Sequence, residues 1–275
     1  MTVSTYVIAL EQSKRYVDLE IDLKKELITF SRISAIDGKS ISSTEISNQV
    51  DSKSCISRLG AELTASQIGC ALSHKQAYEQ FIEAGSHWAL ILEEDVRLES
   101  DFSRKLELLL MAVEIDEPCV IELFSRGERF VNDKNILQLD LDHRVYEFSS
   151  IPGQTAAYLI NREAAKLGVS SSKVDGPADW PNWAAKVKFL CIYPFLASEK
   201  SEGSSIDMKL VTQWKYRLRV LQIFTGIHYV RYRGSFSSRI DYFTLIVKPL
   251  LNRFKWELSG RPTFPKSEQS GLWLV

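Results

Sequence analysis

Residues 90–98, LILEEDVRL, place three carboxylates directly behind an apolar run. Leu90, Ile91 and Leu92 read as the end of a buried strand, so the acids that follow stand beside a core. An unpaired carboxylate there is costly to desolvate, and a bound cation relieves that cost. Along an extended segment, alternation puts Glu93 and Asp95 on one side and Glu94 on the other. The outer pair can then face a divalent metal whose free side holds a diphosphate. The competing reading is a solvated loop start after a strand.

The 275 residues suffice for one large α/β domain, or one domain with an appendage. Cys55, Cys70, Cys119 and Cys191 are widely spaced and form no CxxC or Cys/His cluster, which predicts reduced, packed thiols rather than disulfides or zinc ligands. Glu11, Lys14, Arg15 and Asp18 interrupt the first twenty residues, so no secretory signal is expected and the chain reads as cytoplasmic. No uncharged apolar run is long enough to cross a bilayer. Charge is unevenly spread: between Asp207 and Gly260 ten Lys and Arg face three Asp and Glu, although the whole chain carries a net charge of −1. An acidic body of 1–206 and a basic, aromatic-rich extension of 207–275 are expected to meet different partners.

Strands are expected at 5–10, 27–33, 88–92, 119–124, 154–160 and 189–195, with a helix between Gln12 and Lys25 and a long Ser-rich loop over 34–61. Thr64, with Gln67 three residues on, predicts a capped helix that Gly85 ends, with Ile68, Leu72, Tyr78, Phe81 and Ile82 inward. Asp101 is read as the cap of a helix burying Phe102, Leu106, Leu109, Leu110 and Val113, and Asn161 as the cap of a short helix through Leu167. Strands alternating with helices imply a largely parallel α/β sheet. In such sheets ligands bind beyond the carboxyl ends of strands, where the acids lie. That supports metal-assisted chemistry on a phosphorylated substrate without choosing between sugar and phosphate transfer. GxGxxG and GxxxxGK[ST] are both absent, which disfavours a dinucleotide-dependent dehydrogenase or a P-loop enzyme.

LTASQIGCALSHKQAY (63–78) followed by ALILEEDVRL (89–98) resembles glycosyltransferase family 25, the bacterial lipopolysaccharide and lipooligosaccharide glycosyltransferases. YVIALEQSKR (6–15), PGQTAAYLINREAAK (152–166) and KVDGPADWP (173–181) resemble further blocks of that family in the same order, so the likeness runs over about residues 5–206. It implies an A-type glycosyltransferase fold: a Rossmann-like, mainly parallel sheet flanked by helices, followed here by the C-terminal extension. It also implies a nucleotide-sugar donor and a divalent metal, manganese with magnesium as the alternative. The expected chemistry is inverting transfer, most often of β-galactose from UDP-galactose. Two positions depart from the pattern: Glu94 lengthens the middle acid of EDD, and Ser66-Gln67 replaces Gly-Glu before Ile68.

On that resemblance Asp95 is the first metal ligand and Glu93 the second, Glu93 contacting metal or donor, while Glu94 reads equally as a structural or a solvent-facing acid. Leu10, Arg15, Asp37, Ser73, His74, Gln154 and Thr155 are donor-side candidates. Against this, a lone helical histidine is usually a packed core residue, Asp37 can merely shape its turn with Gly38, and Arg15 can lie on a solvated helix. An inverting transfer needs a base at the acceptor hydroxyl. Asp175 and Asp179 are the candidates; Asp179 can instead cap the helix that Trp180 and Pro181 begin. Trp180 and Trp183 can stack on an acceptor sugar or simply be buried. The basic stretch 207–260 suits peripheral contact with an anionic membrane, expected to be the inner face of a bacterial inner membrane, with a glycolipid or oligosaccharide acceptor. No nucleic-acid module is recognisable. The rival classes are a metal-dependent phosphoryl-transfer enzyme or nuclease using the same acids, and a non-catalytic surface-binding protein.

Overall fold

A computed structural model describes residues 2–59, 61–125, 130–148, 156–179 and 181–199, together with the backbone of 272–274. Stretch 207–260 lies outside the described residues. The chain runs β1 (Val3–Ala9), α1 (Arg15–Lys25), β2 (Ser31–Ser34), α2 (Ser43–Gln49), α3 (Ser52–Leu59), α4 (Ala65–Ala84), β3 (Trp88–Glu93), β4 (Val96–Leu98), α5 (Phe102–Ala112) and β5 (Cys119–Glu122). It continues with β6 (Phe130–Gln138), β7 (Arg144–Phe148), β8 (Ala157–Asn161), α6 (Arg162–Val169), a 3-10 turn (Asn182–Lys186), β9 (Lys188–Tyr193), β10 (Ala197–Glu199) and β11 (Leu272–Leu274).

Among the described residues, nine strands form one sheet in the order β11-β6-β7-β9-β5-β8-β3-β1-β2. β2, β1 and β3 are mutually parallel, as are β5 and β9. β8 runs antiparallel between β3 and β5, and β7 and β11 also run against their neighbours. The majority of strands therefore point one way, as the alternating pattern implies. The exceptions are β7, β8 and β11; β7 follows β6 after only five residues, a short connection that permits antiparallel pairing.

Alternation decides which layer each side chain joins. Tyr6 and Ile8 of β1, Ala89 and Ile91 of β3 and Tyr158 and Ile160 of β8 pack with Leu72, Phe81 and Ala164 from α4 and α6. Val7, Leu90, Leu92 and Leu159 face Leu19 and Leu23 of α1 and Phe102, Leu106 and Leu109 of α5. Each such side chain contributes about 1.5–3 kcal/mol when fully buried. Helix α4 is bounded as expected: Thr64 and Gln67 form a reciprocal capping box, and Gly85 ends the helix at φ 77°. Asn161 likewise caps α6 through Ala164 N–H.

Three expectations are corrected. The 34–61 loop contains α2, opened by a Ser42–Glu45 capping box, and α3, which buries Cys55 and Leu59 four residues apart. Serine richness concealed the box and the short amphipathic turn. Asp101 does not cap α5: it sits at φ 57° with no capping hydrogen bond, and the carboxylate of Glu26, at the end of α1, accepts from Ser103 N–H and Oγ–H instead. Asp179 does not cap the 3-10 turn, where Asp175 Oδ1 accepts from Asn182 N–H at 3.3 Å.

A candidate active site at the ends of three parallel strands

β1, β2 and β3 run side by side and deliver Leu10, the Ile36–Gly38 loop and Glu93 to one edge of the sheet; Ile8 lies opposite Glu93 in the register. Glu93 continues the Ala89–Ile91 face toward α4, and Glu94 turns to the α1 face. There Glu94, only 8 % exposed, accepts from Leu10 N–H at 2.9 Å and from Arg15 Nη2 at 2.6 Å. Of the two readings left open for Glu94, the buried, hydrogen-bonded one holds and the solvent-facing one does not.

Asp95 differs from the alternation expectation. β3 ends at Glu93, the chain turns through 94–95, and Asp95 Oδ2 reaches the same guanidinium as Glu94 at 3.3 Å. Its other oxygen, Oδ1, is buried without a hydrogen-bond partner. Burial, and then the nearby Glu93 charge, push the Asp95 carboxyl above the usual carboxylate range. Glu94 and Asp95 share one guanidinium while the charge of Glu93 also acts on Asp95, so the three acids carry an excess of negative charge that a divalent cation matches. Oxygen donors of this kind suit manganese or magnesium.

His74 is 2 % exposed on α4, with its ring spanning two groups. Nε2–H donates to Glu93 Oε1 at 3.2 Å, and Nδ1 lies 2.8 Å from the Tyr158 hydroxyl, itself 2.7 Å from the Tyr78 hydroxyl. With a neutral imidazole, Tyr158 O–H donates to Nδ1 and Tyr78 O–H donates to Tyr158. Burial raises both phenols far above their ordinary range, so both hydroxyls keep their protons. His74 therefore fixes the orientation of Glu93. The buried Tyr158 hydroxyl was missed in the sequence; a tyrosine within the apolar run AAYLI signals a polar group in need of a partner.

Ser73 is 1 % exposed, and its hydroxyl is taken up within the fold. It donates to Gly69 C=O and accepts from Ile36 N–H at 2.8 Å, which clamps the loop carrying Asp37 onto α4. Backbone meets backbone there: a Cβ on Gly69 would stand 2.3 Å from Ile36 O and 2.6 Å from Gly38 N. Asp37 accepts from Lys39 N–H within its own turn. Leu10 contributes its backbone: the N–H goes to Glu94 and the C=O accepts from Arg32.

His74 also borders a cleft lined by Tyr78, Asp175, Gly176, Pro177 and Trp183. The Trp183 ring stands edge-on to Tyr78, with centroids 5.9 Å apart. Asp175 thus enters the cleft that His74 borders, and Arg58 donates to its backbone carbonyl. Asp179 is not among the residues lining the cleft. Gln154, Thr155 and Trp180 lie outside the described residues.

The three-layer α/β domain gathers its carboxylates at the carboxyl ends of parallel strands, where open α/β sheets bind ligands. The sequence model described as "Glycosyltransferase family 25 (LPS biosynthesis protein)" matches residues 2–175, and the chain belongs to that family. A cattle protein described as "Probable inactive glycosyltransferase 25 family member 3" is 38% identical over 113 residues, 41% of this chain and 18% of the relative. Zebrafish "Procollagen galactosyltransferase 1" is 28% identical over 109 residues, 38% of this chain and 18% of that protein. The chain thus spans less than a fifth of the length of these curated relatives. Among solved structures, the inositol-1-phosphate CTP transferase of T. maritima covers 80% of this chain (96% of its own) at 11% identity and TM-score 0.38. A glycosyltransferase that acts on the major capsid of PBCV-1 covers 61% of this chain (64% of its own) at 11% identity and TM-score 0.30.

Proposed function

We propose that this chain is an inverting, metal-dependent glycosyltransferase that moves a hexose from a nucleotide sugar to a glycan acceptor. The observation that carries the reading is the orphaned Asp95 Oδ1 beside Glu93 at the strand ends of a family 25 domain. Glu93 and Asp95 hold the divalent metal, manganese or magnesium, which when bound neutralises charge on the departing diphosphate. Leu10, Arg15 and the Asp37 loop form the donor side, with His74 orienting Glu93. Asp175, in the cleft that His74 borders, accepts the proton of the acceptor hydroxyl as that oxygen attacks the anomeric carbon. The bond from that carbon to the diphosphate oxygen then breaks and the nucleoside diphosphate leaves. Trp183 offers a face to the acceptor sugar. UDP-galactose is the favoured donor, supported by the name of the zebrafish relative, and a surface glycolipid the favoured acceptor, supported by the family description. Residues 207–260 supply membrane contact at the cytoplasmic face.

The test is release of UDP from a panel of UDP-sugars with and without manganese. Release from UDP-galactose that depends on the metal and is abolished in Asp95→Asn, with the fold retained, supports the reading; near-normal turnover of that variant sinks the metal assignment. The names of the cattle and zebrafish relatives point opposite ways on activity. A second reading is therefore a non-catalytic family member: thermal stabilisation by a UDP-sugar without any turnover would establish it.

A further inference from the structure

Cys70 and His74 stand one turn apart on the same face of α4, and Glu93 meets them from the end of β3. A thiol sulfur, an imidazole nitrogen and a carboxylate oxygen from these three residues all lie within 4.8 Å of one another, which corrects the expectation that Cys70 belongs to no Cys/His cluster. We propose that Cys70, His74 and Glu93 form a second metal site, selective for zinc and related thiophilic ions, next to the oxygen-only Glu93–Asp95 pair.

Donor chemistry separates the two sites. A thiolate and an imidazole favour zinc over magnesium or manganese, which prefer carboxylates. Tetrahedral zinc with bonds of about 2.0–2.3 Å sets its donors roughly 3.3–3.6 Å apart. His74 Nε2 and Glu93 Oε1 are already 3.2 Å apart, and the Cys70 sulfur, within 4.8 Å of the other donor atoms, must draw in for a zinc ion to take all three. The other thiols do not compete: Cys55, Cys119 and Cys191 are buried, whereas Cys70 is half-buried. Burial lifts the Cys55 thiol to about 11 and those of Cys119 and Cys191 higher still.

Behind His74 the Tyr158 hydroxyl already holds the other ring nitrogen. When zinc takes the Nε2 lone pair, the imidazole proton resides on Nδ1 and is donated to the Tyr158 oxygen at 2.8 Å, which fixes the ring. Binding breaks the Cys70 S–H bond, forms the S–Zn bond and releases that proton to solvent. Glu93 adds one oxygen, and a water completes the four positions. Because Glu93 belongs to both sites, zinc withdraws it from the other pair. This consequence, unlike the site itself, rests on the function proposed above: zinc inhibits manganese-supported transfer.

Cobalt titrated alone into the metal-free full chain tests the site. Wild type is expected to show a near-ultraviolet sulfur-to-cobalt charge-transfer band that saturates at one equivalent and is bleached by zinc. The band disappears in Cys70→Ser and persists in Asp95→Asn, and zinc affinity in Cys70→Ser falls at least ~100-fold, beyond what outer-shell changes cause. Alkylating Cys70 in the wild-type protein gives the same reading should the serine variant fold poorly. A wild type without the band, or a band unchanged by removal or alkylation of Cys70, overturns the proposal. In the transfer assay, zinc inhibition is expected in wild type and not in Cys70→Ser. A chain that binds cobalt through Cys70 but releases no UDP defeats the transferase reading and leaves the site standing.

Discussion

Arg15 holds Glu94 at 2.6 Å and Asp95 at 3.3 Å, so one guanidinium at the first turn of α1 joins two consecutive acids after β3. The Arg15 side chain is 26% exposed and that of Glu94 only 10%. Removing the cation strands a nearly buried carboxylate with just Leu10 N–H to stabilise it. Arg15→Ala is expected to cost about 1–3 kcal/mol. In a double-mutant cycle with Glu94→Gln, read by denaturant unfolding, a coupling of at least ~0.5 kcal/mol is expected for groups in one network. Strict additivity would show that the pair is decorative.

His74 should govern Glu93 rather than touch the sugar. His74→Ala is expected to weaken manganese affinity and lower turnover together by about 10–100-fold, as when a group that orients a metal ligand is removed. Tyr158→Phe leaves the Tyr78 hydroxyl and His74 Nδ1 without the group that joins them, and should cost about 1–3 kcal/mol of stability. Calorimetric metal titration and unfolding midpoints check the two in turn. A His74→Ala protein with unaltered manganese binding would refute the positioning role.

How much of this was legible depends on what kind of signal each residue leaves. α4 declares both its ends, because Thr64, Gln67 and Gly85 act within a few residues of chain, and β3 declares itself by apolar composition. The split between Glu93 and Glu94 followed from strand alternation alone. Asp95 escaped that rule because the backbone turns after Glu93, and no periodicity encodes where a strand stops. Partners distant in sequence were not readable: Glu26 capping α5, Arg15 bridging two acids and Tyr158 meeting His74 are properties of packing. β6 was missed because polar residues such as Asn132, Asp133 and Lys134 erase the apolar pattern of a strand near the sheet edge.

The close approach of Gly38 and Gly69 makes a sharp steric prediction. In Gly69→Ala the new methyl meets Ile36 O and Gly38 N, both backbone atoms that cannot rotate aside. A loss of about 1–3 kcal/mol or more is expected, as for overpacking elsewhere. Because that loop carries Asp37, nucleotide-sugar binding should weaken as well. Thermal melts with and without UDP-galactose report both effects; an unchanged midpoint would mean that the loop does not rest on α4 in solution.

Asp175 and Asp179 separate cleanly by position. Only Asp175 lines the cleft shared with His74 and Trp183. Asp175→Asn should reduce turnover by about 10²–10⁴-fold, the usual worth of a general base, without changing donor-induced thermal stabilisation. Asp179→Asn should leave turnover within a few-fold of wild type. The reverse ranking in steady-state assays would transfer the base to Asp179.

Glu26 offers a pH signature away from the site. The backbone N–H of Ser103, opposed in part by burial and aided by the Ser103 hydroxyl, holds the Glu26 carboxyl below its ordinary 4.5. A depressed carboxylate stabilises the fold at pH values above its unfolded pKa, and that contribution fades as pH falls through the folded value. Glu26→Ala should therefore cost about 1 kcal/mol at pH 7, comparable to losing a helix N-cap, or roughly 2–4 °C in Tm for a domain of this size. The gap between wild type and variant should shrink steadily below pH 4.5, where protonation removes in the wild type what the substitution removed in the variant. Melts from pH 7 down to about 3 follow the convergence; a gap that stays constant across that range would mean Glu26 acts through packing and not as the charged cap of α5.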